Sequence, residues 1–134
     1  MASSIARLNP PTLPDTSGIG YSQISIAPGR LAFVSGQVAI SSDGSGAPAD
    51  FTEQAYLAAS NARKAVEALG ATAADIVLAR VYVVDLDQKR MEALMPALYD
   101  LFDNQKPSLT GIGVSALASP ELQIEIELTV SVSD

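Results

Sequence analysis

Leu122-Gln123-Ile124-Glu125-Ile126-Glu127-Leu128-Thr129-Val130-Ser131-Val132 alternates apolar and polar residues without a break. Side chains on a strand point to opposite faces in turn, so Leu122, Ile124, Ile126, Leu128, Val130 and Val132 share one face and belong to a core. The other face carries Gln123, Glu125, Glu127, Thr129 and Ser131. Its two carboxylates project side by side in a chain with no histidine and no cysteine. Any chemistry must therefore run on carboxylates, hydroxyls, amides and water.

The rest of the composition bounds the reading. At 134 residues and 48% apolar content the chain has the size and core of one domain, spanning 1–134. No apolar run approaches the roughly 20 residues that cross a bilayer, and Met1 to Arg7 lacks an apolar signal core. A cytoplasmic protein without membrane association is expected. Without cysteine there is no disulfide framework or thiolate metal site, and Asp43-Gly44 reads as a turn, not a metal loop, since one carboxylate cannot build a calcium site. No cofactor is expected. A formal charge of −7, with eight scattered Lys and Arg, opposes binding to nucleic acid. The adjacent pairs Arg63-Lys64 and Lys89-Arg90 read as solvated helix faces.

Working outward from the final strand, Lys106-Pro107-Ser108-Leu109-Thr110-Gly111-Ile112-Gly113-Val114 reads as its predecessor. Ile76 to Val84 is an almost continuous apolar strand of the kind buried on both faces, interrupted on one face by Arg80 and Tyr82. A buried Arg80 requires a partner, and the carboxylates of the final strand are the natural candidates. Asp50 predicts an N-cap, with Glu53 in capping-box register, and Gly70 ends the helix between them. That helix carries an alanine-rich apolar stripe. A second amphipathic helix runs from Gln88 to Asp103, with Pro96 implying a late start or a kink. Near the N-terminus, Pro-rich residues 9–18 form a loop after a short strand at Ile5 to Leu8. Tyr21 to Ile26 and Leu31 to Val38 then read as a hairpin through Pro28-Gly29. In its second strand Ser35 and Gln37 point together, opposite Val34 and Gly36.

Runs in this order predict an α+β fold, with two helices on one face of a mixed sheet. The uncovered face mixes Leu31 and Phe33 with Ser35, Gln37, Arg80, Tyr82, Glu125 and Glu127. It is too apolar for water and too polar for an ordinary core, which points to subunit association with pockets where chains meet.

The residues also resemble a known family. Gly20-Tyr21-Ser22-Gln23, Phe33-Val34-Ser35-Gly36-Gln37-Val38, Gln54, Asn61, Gly70-Ala71, Asp75-Ile76-Val77, Val81-Tyr82-Val83-Val84-Asp85-Leu86, Pro107 and Ile124-Glu125-Ile126-Glu127 follow one another in the order and spacing of the RidA, or YjgF, reactive-intermediate deaminases. The resemblance implies a chorismate-mutase-like fold assembled as a homotrimer with three small-molecule clefts between subunits.

It also implies hydrolysis of enamines and imines to a carbonyl compound and ammonia. On that reading Glu125 holds the water or proton, Tyr21 lines the cleft, and Ser35 and the backbone of Gly111, Ile112 and Gly113 border it. Family members with this activity clamp the substrate carboxylate with an Arg two residues after the Pro of the penultimate strand. Here that position is Leu109. Losing a charged hydrogen bond weakens affinity by about 10- to 100-fold, so the expected substrate is not a simple 2-imino acid unless Arg80 or Arg30 replaces the clamp. Two readings stay open: a hydrolase for substrates without a clamped carboxylate, and a trimeric binding or regulatory protein that kept the cleft without the chemistry. RNA cleavage, a name also attached to the family, is disfavoured by the acidic charge and the absence of histidine.

Overall fold

The computed structural model describes residues 5–133; Met1 to Ser4, the start of the segment read as lacking a signal core, and Asp134 lie outside it. The elements are β1 (Ala6–Leu8), β2 (Ile24–Ile26), β3 (Arg30–Gln37), α1 (Phe51–Ala68), β4 (Ile76–Val84), α2 (Gln88–Phe102), β5 (Ser108–Val114) and β6 (Ile124–Val132). The main sheet has the order β3-β6-β4-β5, with β4 and β5 parallel and the other pairs antiparallel. The alternating stretch that decides the fold is thus an inner strand, bonded on both edges.

Its apolar face forms the core. Ile124, Ile126, Leu128 and Val130 are at most 1% exposed, packed with Ala55, Ala58, Ala59, Ala62 and Val66 of α1 and Leu94, Ala97, Leu98, Leu101 and Phe102 of α2. The alanines let α1 lie close to the sheet. A one-residue slip of β6 would drive Glu125 and Glu127 into that core, so the register is strongly specified. Parallel pairing of β4 and β5 requires a crossover, which α2 supplies on the same face as α1.

Local signals account for the helix ends. Asp50 accepts a hydrogen bond from the Glu53 N–H at 2.9 Å, and Gly70, at φ +69°, closes α1 with bonds from Gly70 N–H to the Glu67 carbonyl and Ala71 N–H to the Val66 carbonyl. Asp87 caps α2 through the Arg90 N–H. The helix runs on through Pro96, which can make no bond to the Glu92 carbonyl.

Two amides of α1 act as struts. Asn61 donates to the Val38 and Ile40 carbonyls. Gln54, with no exposed surface, donates to the Pro48 and Glu121 carbonyls and accepts from the Gln123 N–H.

Three expectations are corrected. The hairpin does not form: Gly29 turns the chain at φ +74°, but β2 pairs with β1 in a separate ribbon and β3 pairs with β6. An eight-residue β3 finds a far longer ladder against β6 than a three-residue β2 can offer. Secondly, β4 is buried on its helix face only, and Arg80 on the opposite face is 46% exposed in its side chain. Thirdly, β3 does not alternate to its end. Its register against β6 shifts between Val34 and Gln37, a bulge at Ser35-Gly36 that turns Gly36 toward Glu125.

Candidate functional site

Strand pairing arranges the uncovered sheet face in rows. Ile112 of β5, Tyr82 of β4 and Glu125 of β6 form one row, and Thr110, Arg80 and Glu127 the next. The carboxylate for Arg80 is resolved by register: Arg80 lies opposite Glu127, and its Nη1 donates to Glu127 Oε1 at 3.3 Å. The Tyr82 hydroxyl donates to the same oxygen at 3.0 Å. With both charged side chains well exposed, the ion pair stabilises by at most about 1 kcal/mol. Its effect is to keep Glu127 occupied.

The same contact holds the Tyr82 phenol above the ordinary tyrosine range, first through its hydrogen bond to Glu127, with burial and the nearby Glu127 charge adding to it. The neutral phenol is the favoured form in the fold. Its contribution is present in full below the unfolded tyrosine pKa of about 10 and is lost as pH rises through the higher folded value. Titration of phenolate absorbance is expected to show a late-ionising step, and Tyr82→Phe to remove it. Superimposable curves would contradict the assignment.

Glu125 is placed differently. Its half-buried side chain lies across Gly36, where an added Cβ would come within 2.3 Å of the Glu125 Cδ and 2.7 Å of Oε1. Among the described residues no hydrogen-bond donor or cation is engaged by its carboxylate. Ser35, exposed, sits on the same bulge, and Ile112 lies two strands from Glu125, roughly 10 Å at ordinary strand spacing. A seated but unengaged carboxylate beside an open surface can take a proton from water.

Tyr21, Leu109 and Gly111 are on the other side of the sheet. Leu109 pairs with Ala79 and Gly111 with Val81, residues that face the helices. Together with Ile19, Met91, Met95 and Tyr99 they line an open groove of about 530 Å³ between α2 and the edge strand β5. Gly111 leaves room for Met91, whose Cε would lie 3.4 Å from an added Cβ.

Neither candidate replacement arginine lines this groove. Arg80 is held by Glu127 on the open face, and Arg30 donates to the Ser133 carbonyl at the far end of β3, roughly 20 Å along the strand from Gly36. The sequence reading missed Gly36 and the lining by Met91, Met95 and Tyr99. Helical spacing marked the methionines as core, and nothing local announces a bulge. Among the described residues no group of three or more His, Cys, Asp or Glu is placed to hold a metal ion. No helix among them is long and apolar enough to cross a membrane.

Comparison with known proteins adds a second line of observation. Residues 14–132 match the sequence profile of the family described as Endoribonuclease L-PSP. The RutC family protein YjgH of Escherichia coli K12 is 33% identical over 103 residues, which are 76% of this chain and 77% of that protein. Among solved structures, YyfB from Yersinia pestis, a protein of unknown function in the conserved Rid family, matches with a TM-score of 0.89 at 31% identity, covering 96% of this chain and 98% of its own. TdcF of E. coli, solved with bound serine, matches with a TM-score of 0.69 at 26% identity, covering 84% of this chain and 88% of that one.

Proposed function

Because this chain belongs to the RidA/YjgF family, the group covered by the L-PSP profile, we propose that it is an imine or enamine hydrolase of the deaminase type, working in clefts between the subunits of a homotrimer. The observation that carries the reading is Glu125: of the two carboxylates on the open face, Glu127 is held by Arg80 and Tyr82, while Glu125 rests on Gly36 without a partner among the described residues.

In the reaction Glu125 takes a proton from water as the water oxygen bonds to the imine carbon and the C=N π pair moves to nitrogen. The nitrogen then takes the Glu125 proton, which completes a neutral carbinolamine. Its hydroxyl gives a proton to Glu125, which passes it to nitrogen as the C–N bond breaks, so that a carbonyl compound and ammonia leave and Glu125 is again a carboxylate. An enamine enters the same path once its carbon is protonated.

The two-subunit cleft is supported by the division within one chain, since Tyr21, Leu109 and Gly111 face the helices and Glu125 faces away from them. A cleft containing both sets draws them from different subunits. Phe33, 77% exposed, and Leu31 provide apolar surface on the open face for such contact. Light scattering is expected to give about three times the 13.9 kDa chain mass, and a monomer would overturn the cleft.

TdcF holds serine, whose carboxylate is a natural target for a cation. Here no Lys or Arg among the described residues lines the groove around Leu109, and Arg80, on the same open face as Glu125, is paired with Glu127, so the substrate proposed has no carboxylate to be clamped. RNA cleavage is not proposed, because a chain at −7 without histidine offers neither a basic groove nor an imidazole for acid–base chemistry.

The test compares ammonia release from imines made by an amine oxidase with that from 2-imino acids made by an amino-acid oxidase. Faster hydrolysis of the uncharged imines is expected. Absence of acceleration with both classes would overturn the hydrolase reading in favour of ligand binding without chemistry.

A further inference from the structure

We infer that the groove between α2 and β5 is a specificity pocket for an uncharged, apolar substituent of the ligand; this rests on the hydrolase reading and assigns its substrate class. The volume of about 530 Å³ falls in the range of small-molecule sites, roughly 300–1,000 Å³, and far exceeds the needs of a three-carbon amino acid. None of its lining residues is charged. Val81, Met91, Leu94, Met95, Leu98 and Leu109 make its apolar floor and walls. Its polar members are already engaged in part, with the Gln88 amide donating to Glu92 at 2.9 Å and the Tyr99 hydroxyl turned to the Ile19 carbonyl at 3.4 Å.

Charge and shape select the same ligand. An anionic group entering this groove would leave water without gaining a cation from the lining, and the Arg80 that shares the open face with Glu125 is already paired with Glu127, in a chain whose net charge of −7 repels it. An alkyl or aryl group would exchange water for thioether and aliphatic surface. Met91 and Met95 are the adaptable part of the wall, because an unbranched thioether adjusts to ligands of different outline. Met91 reaches toward Gly111, so its rotamer sets the depth of the groove beside β5.

The inference is tested by calorimetric titration of the Glu125→Gln protein, whose binding can be measured without turnover. The probes are 2-alkanones from 2-butanone to 2-octanone and the 2-keto acids of matching length. Affinity for the alkanones is expected to rise by about fourfold per added methylene, the transfer free energy of one CH₂ group. The keto acids should bind at least tenfold more weakly at equal carbon number. Met91→Trp, which fills the groove, should remove the dependence on chain length, with circular dichroism verifying the fold. Leu109→Arg should strengthen keto-acid binding by about 10- to 100-fold, the gain from one charged hydrogen bond.

Alkanone affinity independent of chain length, or wild-type preference for keto acids, would overturn the pocket. The two readings fail separately. Chain-length-dependent binding without hydrolysis by the wild type rejects the hydrolase and leaves a pocket for an unconverted ligand. Hydrolysis with flat binding rejects the pocket alone.

Discussion

Glu125→Gln is expected to lower the turnover of uncharged imines by about 10²- to 10⁴-fold, the usual contribution of a positioned acid–base group. Glutamine preserves the length of the side chain and one acceptor oxygen, so the loss reports proton transfer rather than packing. Glu127→Gln provides the contrast. It removes a charge from an exposed pair with Arg80 while keeping an oxygen for the Tyr82 hydroxyl, and should change turnover by less than about tenfold. Gly36→Ala separates the placement of Glu125 from its chemistry. Gly36 lies outside the positive-φ residues, so alanine suits the backbone, yet its Cβ would meet Glu125 at 2.3 Å and displace the carboxylate. Turnover should fall while the denaturation midpoint stays near wild type. Equal losses from Glu127→Gln and Glu125→Gln would transfer the catalytic role to Glu127 or remove it from both.

The largest expected stability effect is at Gln54. Its amide bridges the segment before α1 to the chain leading into β6: Nε2 donates to the Pro48 carbonyl at 2.7 Å and the Glu121 carbonyl at 2.8 Å, and Oε1 accepts from Gln123 N–H at 2.9 Å. Gln54→Leu keeps much of the volume and leaves three backbone groups without this partner. At about 1–3 kcal/mol for each buried group left unsatisfied, with relaxation recovering part, the loss should be about 3–5 kcal/mol. That corresponds to a fall in Tm of about 10–25 °C for a chain of this size, measured at fixed protein concentration because association would add to apparent stability. Urea unfolding should show the loss in midpoint with an unchanged slope. A change below about 1 kcal/mol would mean that water takes over the amide's three contacts.

Much of the fold was legible because its signals are local. Asp50 and Gly70 bracket α1 by capping chemistry that needs only a few neighbouring residues, and β4 appears over the Ile76 to Val84 range read from its apolar run. Legibility failed where pairing between distant segments outweighed local pattern. Pro28-Gly29 does turn the chain, but a turn does not determine which strands pair, and β3 chose β6. Gln54 looks like an ordinary polar position on a helix until the three distant backbone groups converge on it.

The candidate site divides in the same way. The alternation from Leu122 to Val132 by itself determined a half-buried strand, its core face and the shared face of Glu125 and Glu127, because period-two geometry is a property of any extended backbone. Only the tertiary structure decided which carboxylate was engaged, since that depends on register with Arg80 and Tyr82, more than forty residues earlier in the chain. Only the tertiary structure, too, placed Gly36 beneath Glu125 and put Leu109 on the opposite side of the sheet. A bulge and a parallel pairing are set by the free energy of the whole sheet, and no stretch of its strands carries them alone.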